Sequence, residues 1–490
     1  LAFVCFIKPA VLVRVFWDNA LAGVAAVSGL WTGRLLIALP LAAFWVFVLM
    51  MIPPAALFSL AGLGSFLVMG CSAIGLATGP APTLVFLSLP FWTYAGMKLY
   101  RSRTSSTPVA VRQVEALRGV ARRVAIVVTA LFSLQVLNDV AFAMFFRGPA
   151  MGDELHFWWS SFRKLHELGF TRYLREFEVS SYIPGYPLLA NLFTAFVPER
   201  WMGSADAALP LIFGFLLYWI MAAGVRRRWP SVTESAFLAA VFSLLFFSDS
   251  WVRTMVMRSW YGEAMAVLVT AAVLLELSRP RRGEGVVAEM LFAFGLGYFA
   301  RISKAPLAMV LLPAVVPCFL ASALWFRDNG WKARVRRVLA LAAGAACAQL
   351  LWAHSLETIA QPDRYSFTFE SLLHPDFANL RHHVLPFVWV YYKKQFLVPF
   401  ALLSIMGLAL RPRQHLAAFA SSLAMIASVL LLYSTYWKAM EHESAMRYLL
   451  HGIYAWIVYI VAMHYPLFTR LMRRCFRLAC SVAFKNGRRA

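Results

Sequence analysis

The chain has 490 residues, 61% hydrophobic, 15% aromatic and only 14% charged, with a formal net charge of +23. A water-soluble domain carries roughly a quarter charged residues, so this composition excludes an ordinary soluble enzyme. The positive charge is not one patch: it is broken into short clusters between apolar runs of about 17–23 residues, a membrane-topology pattern rather than a nucleic-acid footprint.

In chain order, spans are predicted near 35–52, 56–78, 81–98, 123–145, 206–225, 232–249, 260–277, 285–300, 305–326, 337–353, 396–411, 415–434 and 449–467. The fold class is therefore an all-α polytopic membrane protein with about 13 transmembrane helices. Residues 1–34 carry Lys8, Arg14 and Asp18 and read as an interfacial helix or one packed against others, not as a lipid-exposed span. No cleavable leader is expected at the start, since no small-residue cleavage signal follows the first apolar run.

Basic clusters fix the orientation. With loop 99–122 placed inside by Arg101, Arg103, Arg112, Arg118, Arg122 and Arg123, strict alternation also places Arg226–Arg228, Arg279–Arg282, the 327–337 stretch, Arg411–Arg413 and the tail inside. Cys5, Cys71, Cys318, Cys347, Cys475 and Cys480 lie in apolar runs or the tail, with no disulfide framework and no metal-type spacing.

The outer face then consists of two large loops, 146–205 and 354–395, and short ones at 250–259, 301–304 and 435–448. The first opens on MGDELHFWW, residues 151–159. Leu155, Trp158, Trp159, Phe162, Leu165 and Leu168 recur at spacings of three and four, predicting an amphipathic helix along the interface. Asp153 and Glu154 fall at its start, where a carboxylate is stabilised by the helix dipole. Two readings of Asp153 stand side by side: an N-cap, or a general base held at the exit of a span. His156 accompanies them. Further on, Pro184 and Pro187 around Gly185 predict a rigid turn, with Tyr182 and Tyr186 as loop punctuation or as the lining of a sugar or head-group site.

Cations at the outer edge run against the positive-inside bias. Arg253, Arg258, Arg301, Lys304, Lys438 and Arg447 all fall there. They read either as ligands of a phosphate, which arginine matches with its two-pronged fork, or as snorkelling groups paired with Asp249, Glu263 and Glu443. His354, His374, His382, His383 and His442 share this face, and His382–His383 with Asp376 are metal-capable residue types, but no spacing specific for zinc is present. No resident metal is assigned, and the only cofactor compatible with the pattern is a divalent cation held loosely on a phosphate. Walker-type loops, dinucleotide fingerprints and nucleophile elbows are missing from the sequence, which argues against a nucleotide-driven pump.

The order of these parts resembles the GT-C glycosyltransferases, in particular the branch of the protein O-mannosyltransferases and the lipid A aminoarabinose transferase. The resemblance rests on Asp153, Glu154 and Trp158 as a DE-x-x-x-W segment, on YIPGYPLL at 182–189, on Ser303–Lys304 as a charged hinge between spans, and on Arg447–Tyr448. It covers about 123–467. Residues 1–122 are extra, since the family places one span ahead of the acidic loop, and 468–490 form a basic cytoplasmic tail. The resemblance implies a GT-C-like core with amphipathic periplasmic helices in the first large loop. It implies a polyprenyl-phosphate sugar as donor, an inverting displacement, and Asp153 as base with Glu154 assisting. Lys304 and Arg447 would stabilise the leaving phosphate, with Arg301, Arg258 and Arg253 behind them. His156, Tyr182, Tyr186, Glu263 and Tyr448 are the candidate substrate-binding residues. The acceptor is a glycan, lipid or protein, the site is a bacterial inner membrane facing the periplasm, and nucleic acid is not a partner. Two rival expectations are an envelope-polysaccharide polymerase or ligase centred on loop 354–395, and a transporter or flippase of a lipid-linked saccharide.

Overall fold

The computed structural model describes residues 32–76, 79–104, 160–176, 185–194, 263–279, 285–303, 305–327, 330–357, 373–392, 397–436 and 451–465, with isolated positions besides. Among the described residues every regular element is helical. The first described helices are α1 (Thr32–Met51), α2 (Pro54–Ala73) and α3 (Pro80–Thr104). Three short ones follow, α4 (Ser160–Leu168), α5 (Phe170–Glu176) and α6 (Gly185–Thr194). Then come α7 (Glu263–Ser278), α8 (Val286–Ser303), α9 (Ala305–Trp325) and α10 (Trp331–Glu357). The segment α11 runs from 377 to 392 through a π turn at Leu380–Val384, and α12 (Val398–Leu410), α13 (Pro412–Tyr436) and α14 (451–465) complete the set.

Ten of the predicted spans coincide with these helices. Spans 123–145 and 232–249 lie outside the described residues, and 206–225 is represented by isolated helical positions. Among the described residues four stretches are long and apolar enough to cross a membrane: Ala55–Ala73, Val286–Ser303, Trp331–Ser355 and Pro412–Thr435. Shorter apolar helices occupy Ile37–Leu49, Met265–Ser278, Val310–Trp325 and Val398–Leu410. The protein is a helical membrane protein.

Among the described residues two stretches are apolar on nearly every side and accordingly buried: Met265 to Leu275 of α7, and Ile453 to Ala462 of α14. The tightest packing joins α8 to α10. A Cβ on Gly344 would overlap the Phe294 carbonyl and come 3.0 Å from Phe294 Cα, and one on Gly297 would come 2.9 Å from Leu341 Cα. Only glycine permits such backbone approach. Farther along, Arg301 meets Gln349, so α8 and α10 run in the same direction, as alternation with α9 between them requires.

The basic segments gather at one end of this layer. Arg337, buried in α10, donates from Nη1 to the Glu276 carbonyl and from Nη2 to the Arg279 carbonyl, both at 2.7 Å, and so caps the C-terminus of α7. Stretch 327–337, expected as a loop, is helical from Trp331, and Arg337 within it finds its partners on α7. At the same end His415 in the first turn of α13 meets Tyr459 (3.0 Å) and His464 (2.7 Å) of α14, and Tyr459 Oη donates to Ser278 Oγ of α7 at 2.9 Å. Arg413 lies over the ring of Phe326 at the end of α9. Segments 279, 327–337 and 411–413 were all expected on one face, and they share one.

Candidate functional site

The opposite end holds the described parts of the expected outer loops. The amphipathic stretch forms two helices rather than one, because Gly169 at φ 74° breaks it between α4 and α5. Their apolar face is not laid on lipid. Phe162, Leu165, Phe170, Tyr173 and Leu174 are buried against α2, α3 and α6. The break is pinned by side chains: the Phe170 amide donates to Thr83 Oγ1 at 3.0 Å, and Ser72 shares a hydrogen bond with Thr171. Burial pushes the Tyr173 phenol up to about 12, against a smaller opposing pull from Ser161.

The segment expected as a rigid turn is helical from Gly185. Pro187 sits in the first turn of α6, where a missing N–H is tolerated. Asn191 holds this helix in place, donating to the carbonyls of Phe162 (3.2 Å) and Pro187 (2.9 Å) while its oxygen meets His166 Nδ1 at 3.0 Å. The far end of α6 reaches the bundle core, where Trp45 Nε1 donates to the Phe193 carbonyl at 2.6 Å.

Gly185 is the contact that matters for the site. A Cβ there would overlap the Ile302 carbonyl and stand 2.9 Å from Ser303 Cα. The Gly-Tyr-Pro segment therefore rests directly on the last turn of α8, which carries Arg301 and leads into Lys304. Two motifs more than a hundred residues apart in sequence meet backbone to backbone.

Of the candidate site residues, Arg301 is described in full. Its Nε and Nη2 both donate to Gln349 Oε1 on α10, the first at 2.8 Å. Its Nη1 is buried without a hydrogen-bond partner. Among the described residues the ion pairs are Arg163–Glu167, Lys164–Glu167 and Arg172–Glu176, so no carboxylate there neutralises Arg301. Tyr186 and Glu263 are placed as backbone positions at the starts of α6 and α7. Asp153, Glu154, His156, Tyr182, Arg253, Arg258, Lys304, Arg447 and Tyr448 lie outside the described residues.

The second large loop contains more helix than expected. Asp376 caps α11 through Oδ1, which accepts from the Asn379 amide at 2.9 Å, and its own amide donates to Ser434 Oγ at the end of α13. The carboxylate noted as a metal-capable type beside His382 and His383 is engaged in capping, while both histidines are exposed on the π turn. Among the described residues no three metal-ligating side chains converge. Sequence reasoning missed Gln349, a lone amide in an apolar run, and the His415–His464 pair, whose members carry no local signal of their pairing.

Compared with family models, curated proteins and solved structures, the chain has no significant match.

Proposed function

We propose that this protein is a GT-C-type glycosyltransferase of a bacterial inner membrane, with about thirteen spans and a site facing the periplasm. It moves a sugar from a polyprenyl-phosphate donor to an acceptor hydroxyl. Residues 123–467 form the catalytic module, 1–122 an added membrane module and 468–490 a cytoplasmic tail. The observation that carries this reading is the seat of Gly185 on Ile302 and Ser303, which joins the Pro-Gly-Tyr-Pro segment to the cationic hinge at the end opposite the basic loops.

In this reading the Asp153 carboxylate takes the proton of the acceptor hydroxyl, assisted by Glu154. The acceptor oxygen then attacks the anomeric carbon from the face opposite the phosphate. The carbon–oxygen bond to the phosphate breaks, and polyprenyl phosphate leaves with the electron pair. Arg301, Lys304 and Arg447 offset the charge that builds on it, an electrostatic contribution of the kind that dominates many transfer reactions. The lipid already carries the activated sugar, so no nucleotide enters.

The test is release of polyprenyl phosphate from polyprenyl-phosphate sugars by purified protein. Asp153→Asn should slow turnover by roughly 10²–10⁴-fold, and Glu154→Gln less. Wild-type rates in both variants would sink the base assignment. Movement of intact lipid-linked saccharide across vesicles without donor consumption would favour a flippase, and growth of a polymer from a lipid-linked repeat would favour a polymerase.

A further inference from the structure

We infer that Gln349 is a positioning residue that aims the Arg301 guanidinium at the phosphate of a lipid-linked substrate. The inference rests on the proposed use of such a donor and names how one of its cations is held.

A guanidinium has five N–H donors in a rigid plane. Here Nε and Nη2 converge on one oxygen of Gln349, which fixes the plane, while Nη1 is buried and unused. Buried donors in native proteins are nearly always paired, and Nη1 is the nitrogen of this fork that the protein leaves able to take an acceptor. The identity of the clamp carries the argument further. A carboxylate at 349 would hold the guanidinium equally well but would cancel its charge. A neutral amide holds it and leaves the full charge for an anion.

The pair is not needed to join its helices. Gly297 and Gly344 already bring α8 and α10 into backbone contact one to two turns away. Position suits a phosphate on a lipid rather than one free in water. From Gln349, α10 continues eight residues to Glu357, roughly 12 Å at 1.5 Å per residue, so the cation is recessed below the helix end. Its neighbours along the chain are Ser303, on which Gly185 rests, and Lys304.

The full-length protein in nanodiscs is titrated with polyprenyl monophosphate, and separately with inorganic phosphate, while donor turnover and thermal stability are followed. Gln349→Glu should weaken polyprenyl monophosphate by about tenfold or more and raise KM for the donor in parallel, with kcat changed less and Tm moved by no more than about 2 °C. Gln349→Met, which frees the fork without adding charge, should weaken binding by a few-fold. It carries the test if the Glu variant does not fold. Wild-type affinity in both variants overturns the inference, as does a loss of affinity that appears only with a fall in Tm. Equal capture of inorganic phosphate overturns the lipid assignment. If the wild type binds polyprenyl monophosphate and Gln349→Glu loses it, yet no sugar is transferred, the clamp stands and the glycosyltransferase reading falls. If transfer proceeds equally in wild type and Gln349→Glu, the clamp falls alone.

Discussion

Arg337 and Arg301, at opposite ends of the helix layer, are partnered in different ways. At the basic end Arg337 spends its two terminal nitrogens on the last carbonyls of α7, and His415, His464, Tyr459 and Ser278 form a chain of hydrogen bonds across three helices. At the other end Arg301 is clamped by a neutral amide and keeps a donor in hand. Both arginines are the same chemical group near a helix terminus. Arg337 is committed to backbone carbonyls of the same protein, whereas the Arg301 fork keeps Nη1 without a hydrogen-bond partner.

That contrast can be broken by substitution. Arg337→Met should be the most damaging, since it removes two charged hydrogen bonds from a fully buried site, and we expect a loss of about 3 kcal/mol in unfolding from detergent micelles. A smaller loss would mean that the α7 terminus does not depend on its cap. Next is Tyr173, buried at the end that holds the site. Its folded pKa is raised above the ordinary value of about 10, so its contribution is intact below pH 10 and is lost as pH rises towards about 12. Tyr173→Phe should therefore resist alkaline unfolding relative to wild type by about 2–3 kcal/mol across that window, read from melts at successive pH values. The smallest expected effect on stability is Arg301→Met. Removing an incompletely partnered buried cation should leave the unfolding free energy within about 1 kcal/mol of wild type while donor turnover falls. A large destabilisation would make the two ends alike.

Much of the fold is legible in hydropathy alone. The span expected at 285–300 appears as Val286–Ser303, and that at 305–326 as Ala305–Trp325. The departures have local causes that only tertiary contacts reveal. Basic residues at 332–337 look like a loop, yet Arg337 is helical and buried because the carbonyls of α7 await it. Pro184–Gly185–Pro187 looks like a turn, yet proline is compatible with a first helical turn and α6 begins there. Arginine and histidine at 381–383 interrupt an apolar run and hide α11. For the site, the cations and the Gly-Tyr-Pro segment stand out by composition, whereas Gln349 is visible only once α10 lies beside α8.

The missing side chain at Gly185 has a mechanical consequence. With no Cβ to act as a spacer, the backbone at the start of α6 bears directly on the backbone of Ile302 and Ser303. Asn191 anchors α6 to α4, and the Trp45–Phe193 hydrogen bond anchors its far end to α1. The short helices of the first outer loop are thus coupled to the last turn of α8 as a rod is coupled to a crank. A displacement of α6 would press on the last turn of α8 with no side chain between them to yield, so the two elements are joined through a contact the width of a glycine.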